Sequence, residues 1–222
     1  MPKNTGLFVT FEGTEGAGKS TLIREIARQL EGRGFTSSRL CLTREPGGTP
    51  VAEQVRKVIL EQPMTPWTEL FLYEASRAEH LNVTILPALA DGKLVLCDRF
   101  ADSSLAYQGH ARGIPWKMVK AVNAVATQGL VPDLTVLIDI DPAVGLDRAQ
   151  DRNRFEEEGL KFQQKVRAGF LKARKENPKR WLVIQPGSKT PEALATWVIT
   201  ALEKKFKSRL LRVKDAKVKR GG

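Results

Sequence analysis

The chain has 222 residues, 41% hydrophobic and 27% charged, an ordinary balance for a globular protein with room for a buried core. No apolar run approaches the roughly 18 residues of a membrane span, and the opening MPKNTG has no signal-peptide core, so the expectation is a cytoplasmic protein outside the membrane. Of the formal net charge of +11, +7 falls in the last twenty residues; the body is mildly basic, and LLRVKDAKVKRGG reads as a solvated helix end rather than a nucleic-acid contact.

In chain order, apolar strand-like runs at 7–11, 38–42, 94–97, 134–140 and 181–184 alternate with helical patterns. Those patterns cover 20–31, 51–60, 67–90, 115–127, 156–175 and 191–207. Each parallel strand pair needs a crossover, and strands that are apolar throughout are buried on both faces. The fold class is therefore α/β: a three-layer arrangement with a central five-stranded parallel sheet flanked by helices. Pro87 falls inside the third helical pattern and is expected to kink or end it. Cys41 and Cys97 sit in or beside strands and read as two buried thiols. No linker divides the chain, so one domain over 1–206 with a basic tail at 207–222 is expected.

The first strand runs into FEGTEGAGKSTL, where Gly13, Gly18, Lys19 and Ser20 match G-x-x-x-x-G-K-S/T. Chance supplies such a match in about one chain in a hundred of this length. A buried strand before it and a helix after it provide the setting a P-loop needs. Glycines let backbone N–H groups converge on phosphate oxygens, and the helix N-terminus adds partial positive charge. Gly13, Thr14, Glu15, Gly16, Ala17, Gly18, Lys19, Ser20 and Thr21 are thus the candidate residues for binding ATP or GTP, with Lys19 on the β/γ oxygens and Ser20 on Mg²⁺. Glu15 is the odd member, a carboxylate inside an anion-binding loop.

Further elements crowd the ends of strands: TREPGG after the second, LCDRFADSSLAYQG after the third, and Tyr73 with Arg77 on one face of the helix between. Asp98 closes a strand in Walker B fashion, and Arg99 follows it at the strand end.

Together with PDLTVLIDI, these segments resemble bacterial thymidylate kinases, a family of P-loop nucleoside monophosphate kinases. The likeness runs from about residue 6 to about residue 205, and DRFADSSLAYQ is its most specific part. It implies transfer of phosphate from ATP to dTMP, giving dTDP and ADP, with Mg²⁺ as cofactor, and a homodimer. Lys19, Glu15 and Arg99 are implied to be catalytic, and Glu15, Ser20 and Asp98 to serve the metal. It implies that Arg99 grips the acceptor phosphate, with Arg56 nearby, while Tyr73 stacks on thymine and Arg77 donates to a base carbonyl. Glu45, Pro46, Ser103, Ser104, Tyr107 and Gln108 complete the implied dTMP site, Tyr107 crowding the sugar 2′ carbon. A short lid at about 147–156 would carry the transition-state arginine, among Arg152, Arg154 and Arg148, because Gly16 leaves the loop without one. The alternatives are a kinase for another monophosphate, such as dUMP or CMP, and a P-loop ATPase that binds nucleic acid through its basic tail. Two phosphate-gripping clusters argue against that ATPase, and the intact Lys19 and Arg99 argue against an inactive homologue.

Overall fold

The protein is described from a computed structural model that covers residues 6–148 and 158–215. Five parallel strands, β1 (Leu7–Glu12), β2 (Leu40–Arg44), β3 (Leu94–Asp98), β4 (Leu134–Ile138) and β5 (Trp181–Ile184), form one sheet in the order β2-β3-β1-β4-β5. The connecting helices are α1 (Lys19–Gly32), α2 (Pro50–Glu61), α3 (Pro66–His80), α4 (Leu86–Ala90), α5 (Ala101–Ser104) and α6 (Trp116–Ala126). Then come α7 (Pro142–Arg148), α8 (Gly159–Glu176) and α9 (Pro191–Asp215).

Alternate strand residues face opposite layers. Leu7, Val9, Phe11, Leu94 and Leu96 pack against Ile26 of α1 and Val198, Ile199 and Leu202 of α9. On the other face, Phe8, Val95 and Cys97 meet Leu81, Ile85 and Leu89, while Leu137 and Trp181 meet Phe162, Val166 and Phe170 of α8. Each such side chain, fully buried, stabilises the fold by about 1.5–3 kcal/mol. Register places the site: Phe11 lies opposite Asp98, and Asp98 opposite Arg44, so three strands end side by side at one edge.

The third helical pattern does not break at Pro87. α3 passes through a π-helical turn, Leu81–Ile85, into α4, where Pro87 falls in the first turn. A proline there lacks an N–H and its ring opposes the carbonyl four residues back; the wider turn ahead of it removes that conflict. A second π segment, Leu105–Ala111, continues α5. Neither it nor α7 stood out as a helical pattern. Cys97 is buried, but Cys41 is only half-buried because β2 is an edge strand.

The expected boundary at 206 is corrected. α9 bends at Phe206 and continues to Asp215, with Leu210 and Val213 buried in the core beside Phe35. Three residues apart, they share a helix face and return the chain to the body. Arg209 reinforces this by binding the carboxylate of Asp133, with Nη1 to Oδ1 at 2.5 Å. Residues 216–222 of the expected tail lie outside the described residues.

Candidate active site

The loop after β1 opens with Gly13 at φ +152°, where a Cβ would stand 2.7 Å from the carbonyl oxygen of Ile138. Only glycine lets the loop turn so close to β4. Residues 15–21 then line a cavity of about 260 Å³, with Gly13 and Thr14 behind it. Their carbonyls receive Lys19 Nζ at 3.4 and 3.0 Å. Burial, and next the neighbouring Arg99, hold the Lys19 pKa below its ordinary value. Ser20 Oγ donates to Asp98 Oδ2 at 2.6 Å, so the two residues expected to serve a metal meet at the mouth of the cavity. Glu15 does not join them.

Glu15 turns the other way. Its Oε1 accepts from Arg99 Nη2 at 2.7 Å and from the Tyr107 hydroxyl at 2.8 Å. Burial raises the Glu15 pKa, but Arg99 and then Lys19 outweigh it and hold the carboxyl below its ordinary range. Arg99 has φ +69°, unusual for a residue with a side chain. Its guanidinium lies 5.0 Å from the centre of the Tyr107 ring, and its Nη1 donates to the Gly13 carbonyl at 3.0 Å. Although burial opposes the charge, Glu15 keeps the Arg99 pKa well above its usual value. Asp98 and Arg99, although adjacent in sequence, take separate partners: Asp98 holds Ser20 and Arg99 holds Glu15.

Beyond Arg99 lies a second, narrower cavity of about 70 Å³. Tyr73, Ser103, Tyr107, Gln108 and Pro46 line it, and Glu15, Glu45, Arg56 and Arg99 border both cavities. Arg56 Nη1 donates to the Pro46 carbonyl at 2.9 Å, which brings this helix arginine to the shared wall. Burial first, then Arg44, lowers its pKa. Gln108 Nε2 donates to Glu69 Oε1 at 2.8 Å.

Arg77 and Ser104, expected to contact the base, are both buried behind the residues that line the cavity, and Arg77 is only 1% exposed. Its Nε donates to Glu45 Oε2 at 2.8 Å, and its Nη1 to Glu74 Oε1, Ser104 Oγ and Asn123 Oδ1 at 2.5, 2.9 and 3.0 Å. Nη2 donates to Phe100 O at 3.1 Å, its single acceptor among the described residues. Burial opposes the charge, yet Glu74 and then Glu45 raise the Arg77 pKa. Two buried carboxylates draw the fork behind the wall that Tyr73 faces.

α7 rests directly on the P-loop. A Cβ on Gly145 would lie 2.3 Å from the Glu15 carbonyl oxygen, and one on Gly16 would lie 1.9 Å from that of Gly145. Arg148 is exposed at the end of α7, whereas Arg152 and Arg154 lie outside the described residues. Sequence reasoning overlooked several supporting groups: Glu12, Glu74, Asn123, His80 on Glu45, and Gln163, whose Oε1 accepts from Glu15 N at 3.4 Å. The acid ending β1 was the one visible signal among them.

A strand–glycine loop–helix joined through an arginine to a second, narrow pocket defines a P-loop kinase with a separate acceptor site. A profile of the thymidylate kinase family matches residues 11–195. The chain is 45% identical over 210 residues to a thymidylate kinase of Geotalea uraniireducens, covering 88% of this chain and 97% of that one. It is 46% identical over 202 residues to one from Solidesulfovibrio magneticus, covering 85% and 95%. The crystal structure of thymidylate kinase from Ehrlichia chaffeensis superposes with a TM-score of 0.74 at 34% identity, covering 89% of this chain and 98% of that one. The chain belongs to the thymidylate kinase family.

Proposed function

We propose that the two joined cavities hold the two substrates of a thymidylate kinase, the phosphates of ATP against the glycine loop and dTMP beyond Arg99. The chain transfers the γ-phosphoryl group of ATP to dTMP, giving dTDP and ADP. The acceptor is a phosphate monoester with a second pKa of about 6, dianionic at neutral pH, so no general base is needed. The chemical task is to bring two anions together and to stabilise charge in transit.

Lys19 serves the donor phosphates, and Arg99 the acceptor phosphate. Glu15 aligns Arg99 and, with Tyr107, faces the sugar, where the Tyr107 ring favours deoxyribose. Tyr73 stacks on thymine, Gln108 meets the edge of the base, and Arg77, buried behind them with Nη2 on the Phe100 carbonyl, is the second donor for its carbonyl oxygen. A donor aimed at a carbonyl oxygen accepts thymine and leaves the amino group of cytosine unpaired, at a cost of about 1–3 kcal/mol. Ser104 and Glu45 keep Arg77 in place. The hydroxyl of Ser20 and the carboxylate of Asp98, 2.6 Å apart at the donor cavity, suit a hard cation that retains water ligands. Mg²⁺ held there by Ser20 and Asp98 would neutralise phosphate charge. Arg152 or Arg154, with Arg148 behind them, supplies the lid arginine.

Exposed apolar side chains on α2, α3 and α6 support a homodimer through these helices: Val58, Trp67, Phe71 at 55% and Val125 at 80%. Among the described residues no helix is long and apolar enough to cross a membrane, and the two cysteines are unpaired. A cytoplasmic location agrees with free thiols.

The observation that carries this reading is the wall shared by the two cavities, where Arg99 touches both the P-loop and the acceptor pocket. A coupled ADP-release assay with dTMP, dUMP, CMP and purine monophosphates tests it. dTMP should be the best acceptor; a preference for another base would overturn the assignment of the pocket.

A further inference from the structure

Glu12 ends β1 one residue ahead of Gly13, is fully buried and lines neither cavity. Both of its oxygens are spent on one turn. Oε1 accepts from the Phe100 N–H at 2.9 Å, and Oε2 bonds the Ser103 hydroxyl at 2.6 Å. That turn carries Arg99 in its left-handed conformation. The backbone just before Glu12 takes part as well, because Arg99 N donates to Phe11 O at 2.9 Å. Ser103 Oγ also lies 3.4 Å from Arg99 Nη1, so the same hydroxyl links Glu12 to the guanidinium.

The neighbouring acid of the turn is committed elsewhere. Asp102 is held by both terminal nitrogens of Arg180, at 2.6 and 2.8 Å. Glu12 thus ties the backbone of the Arg99 turn to the root of the P-loop, while Glu15 holds the Arg99 guanidinium from within the loop. A left-handed residue persists only where its surroundings over-determine it.

We propose that Glu12 is a positioning residue for dTMP phosphorylation: by clamping Phe100 and Ser103 it sets the distance between the Arg99 guanidinium and the glycine loop. This rests on the reading of Arg99 as the grip on the acceptor. Glu12 touches no substrate itself. Its loss therefore acts through Arg99 and spares the donor side.

Steady-state kinetics on Glu12→Ala, Glu12→Gln, Arg99→Ala and the double variant Glu12→Ala/Arg99→Ala test this, with thermal melting as a check of folding. Glu12→Ala should lower kcat/KM for dTMP by about 10²-fold, as misplacement of an aligned group does, and leave KM for ATP unchanged. Glu12→Gln should restore most of that loss, since its amide can accept from Phe100 N and donate to Ser103 Oγ. The double variant should be no worse than Arg99→Ala alone, because the two residues act as one unit. Should Glu12→Ala fail to fold, Glu12→Asp, too short to hold both partners, replaces it in the same comparison. Multiplying losses in the double variant, or an equal loss for ATP and dTMP, would overturn the positioning role while leaving Arg99 as the grip. An Arg99→Ala enzyme with unchanged turnover would instead overturn the acceptor reading, and this proposal with it.

Discussion

The two cavities that meet at Arg99 are built by opposite means. On the donor side the walls come mainly from consecutive residues, 15–21, with Asp98 and Arg99 closing the edge. On the acceptor side, residues 45, 46, 56, 60, 73, 99, 103, 107 and 108 and the P-loop acid converge from separate elements. A cradle of consecutive residues takes its N–H groups from the backbone and its turns from glycines such as Gly13 and Gly16, so it carries its own support. A pocket assembled from distant side chains depends on whatever holds each of them, and here that support is a buried layer of Glu12, Glu45, Glu74, Asn123 and Arg77. The acceptor side is therefore the more fragile of the two, and its fragility lies one layer behind the surface.

The largest effect concerns the arginines proposed for the lid. If one of them stabilises the transition state, replacing it by alanine should cost about 10³–10⁵ in kcat. Single-turnover rates of Arg152→Ala, Arg154→Ala and Arg148→Ala would rank the three, with Arg148 the least affected because it ends α7 in solvent.

Arg77→Met separates buried support from direct contact. Glu45 and Glu74 would keep their burial and lose their cation, a change that costs about 3–5 kcal/mol when a buried pair is broken. Denaturant unfolding should show this loss, and the affinity for dTMP should fall with it. Tyr73→Phe keeps the stacking face and should change KM for dTMP little, whereas Tyr73→Ala should raise it. Equal effects of the two Tyr73 changes would show that the ring is not what dTMP meets.

Gly145→Ala tests the contact between α7 and the loop. The added Cβ would press on the Glu15 carbonyl from 2.3 Å, and both are backbone positions with little freedom to move. Affinity for ATP and kcat should both fall, in contrast to the dTMP-selective Glu12 variants. Unchanged ATP binding in Gly145→Ala would show that α7 can slide without disturbing the loop.

The smallest effect is on stability against pH. Burial, then the charge of Asp102, raises the Glu12 pKa from 4.5 to about 8, while Ser103 and Arg99 pull in the other direction. A folded-state pKa above the unfolded one means that the folded protein holds a proton the unfolded chain releases. The stability linked to that proton is complete below the unfolded value and is lost as pH rises through about 8. The melting temperature of Glu12→Gln relative to the parent should therefore be higher at pH 9 than at pH 5, by an amount set by this one proton. A constant difference would place the Glu12 pKa in its ordinary range.

Much of this was legible in the sequence, and for identifiable reasons. β5 and the P-loop follow from local pattern, since a parallel strand covered by helices is apolar throughout, even half-buried at the sheet edge, and a phosphate loop needs its glycines. The meeting of Ser20 and Asp98 follows from topology: Asp98 ends β3 opposite Phe11 of β1, and the loop after β1 leads to Ser20 in the first turn of α1. Arg77 shows where such reading stops. Its helical spacing from Tyr73 is correct, but the acids that draw it inward lie 32 residues back, at Glu45, and on its own helix, at Glu74. Glu12 is visible as an acid at a strand end, yet its partners, Phe100 and Ser103, lie 88 and 91 residues away. The end of α9 was misread because net charge in the last residues masks the apolar pair Leu210 and Val213.

The most direct test of the account is calorimetric titration of Arg99→Ala with dTMP and, separately, with a non-hydrolysable ATP analogue. If Arg99 divides one site into a donor half and an acceptor half, dTMP affinity should drop sharply while the ATP analogue binds as it does to the parent enzyme. Unchanged dTMP affinity, or an equal loss for both nucleotides, would contradict the two-anion site described here.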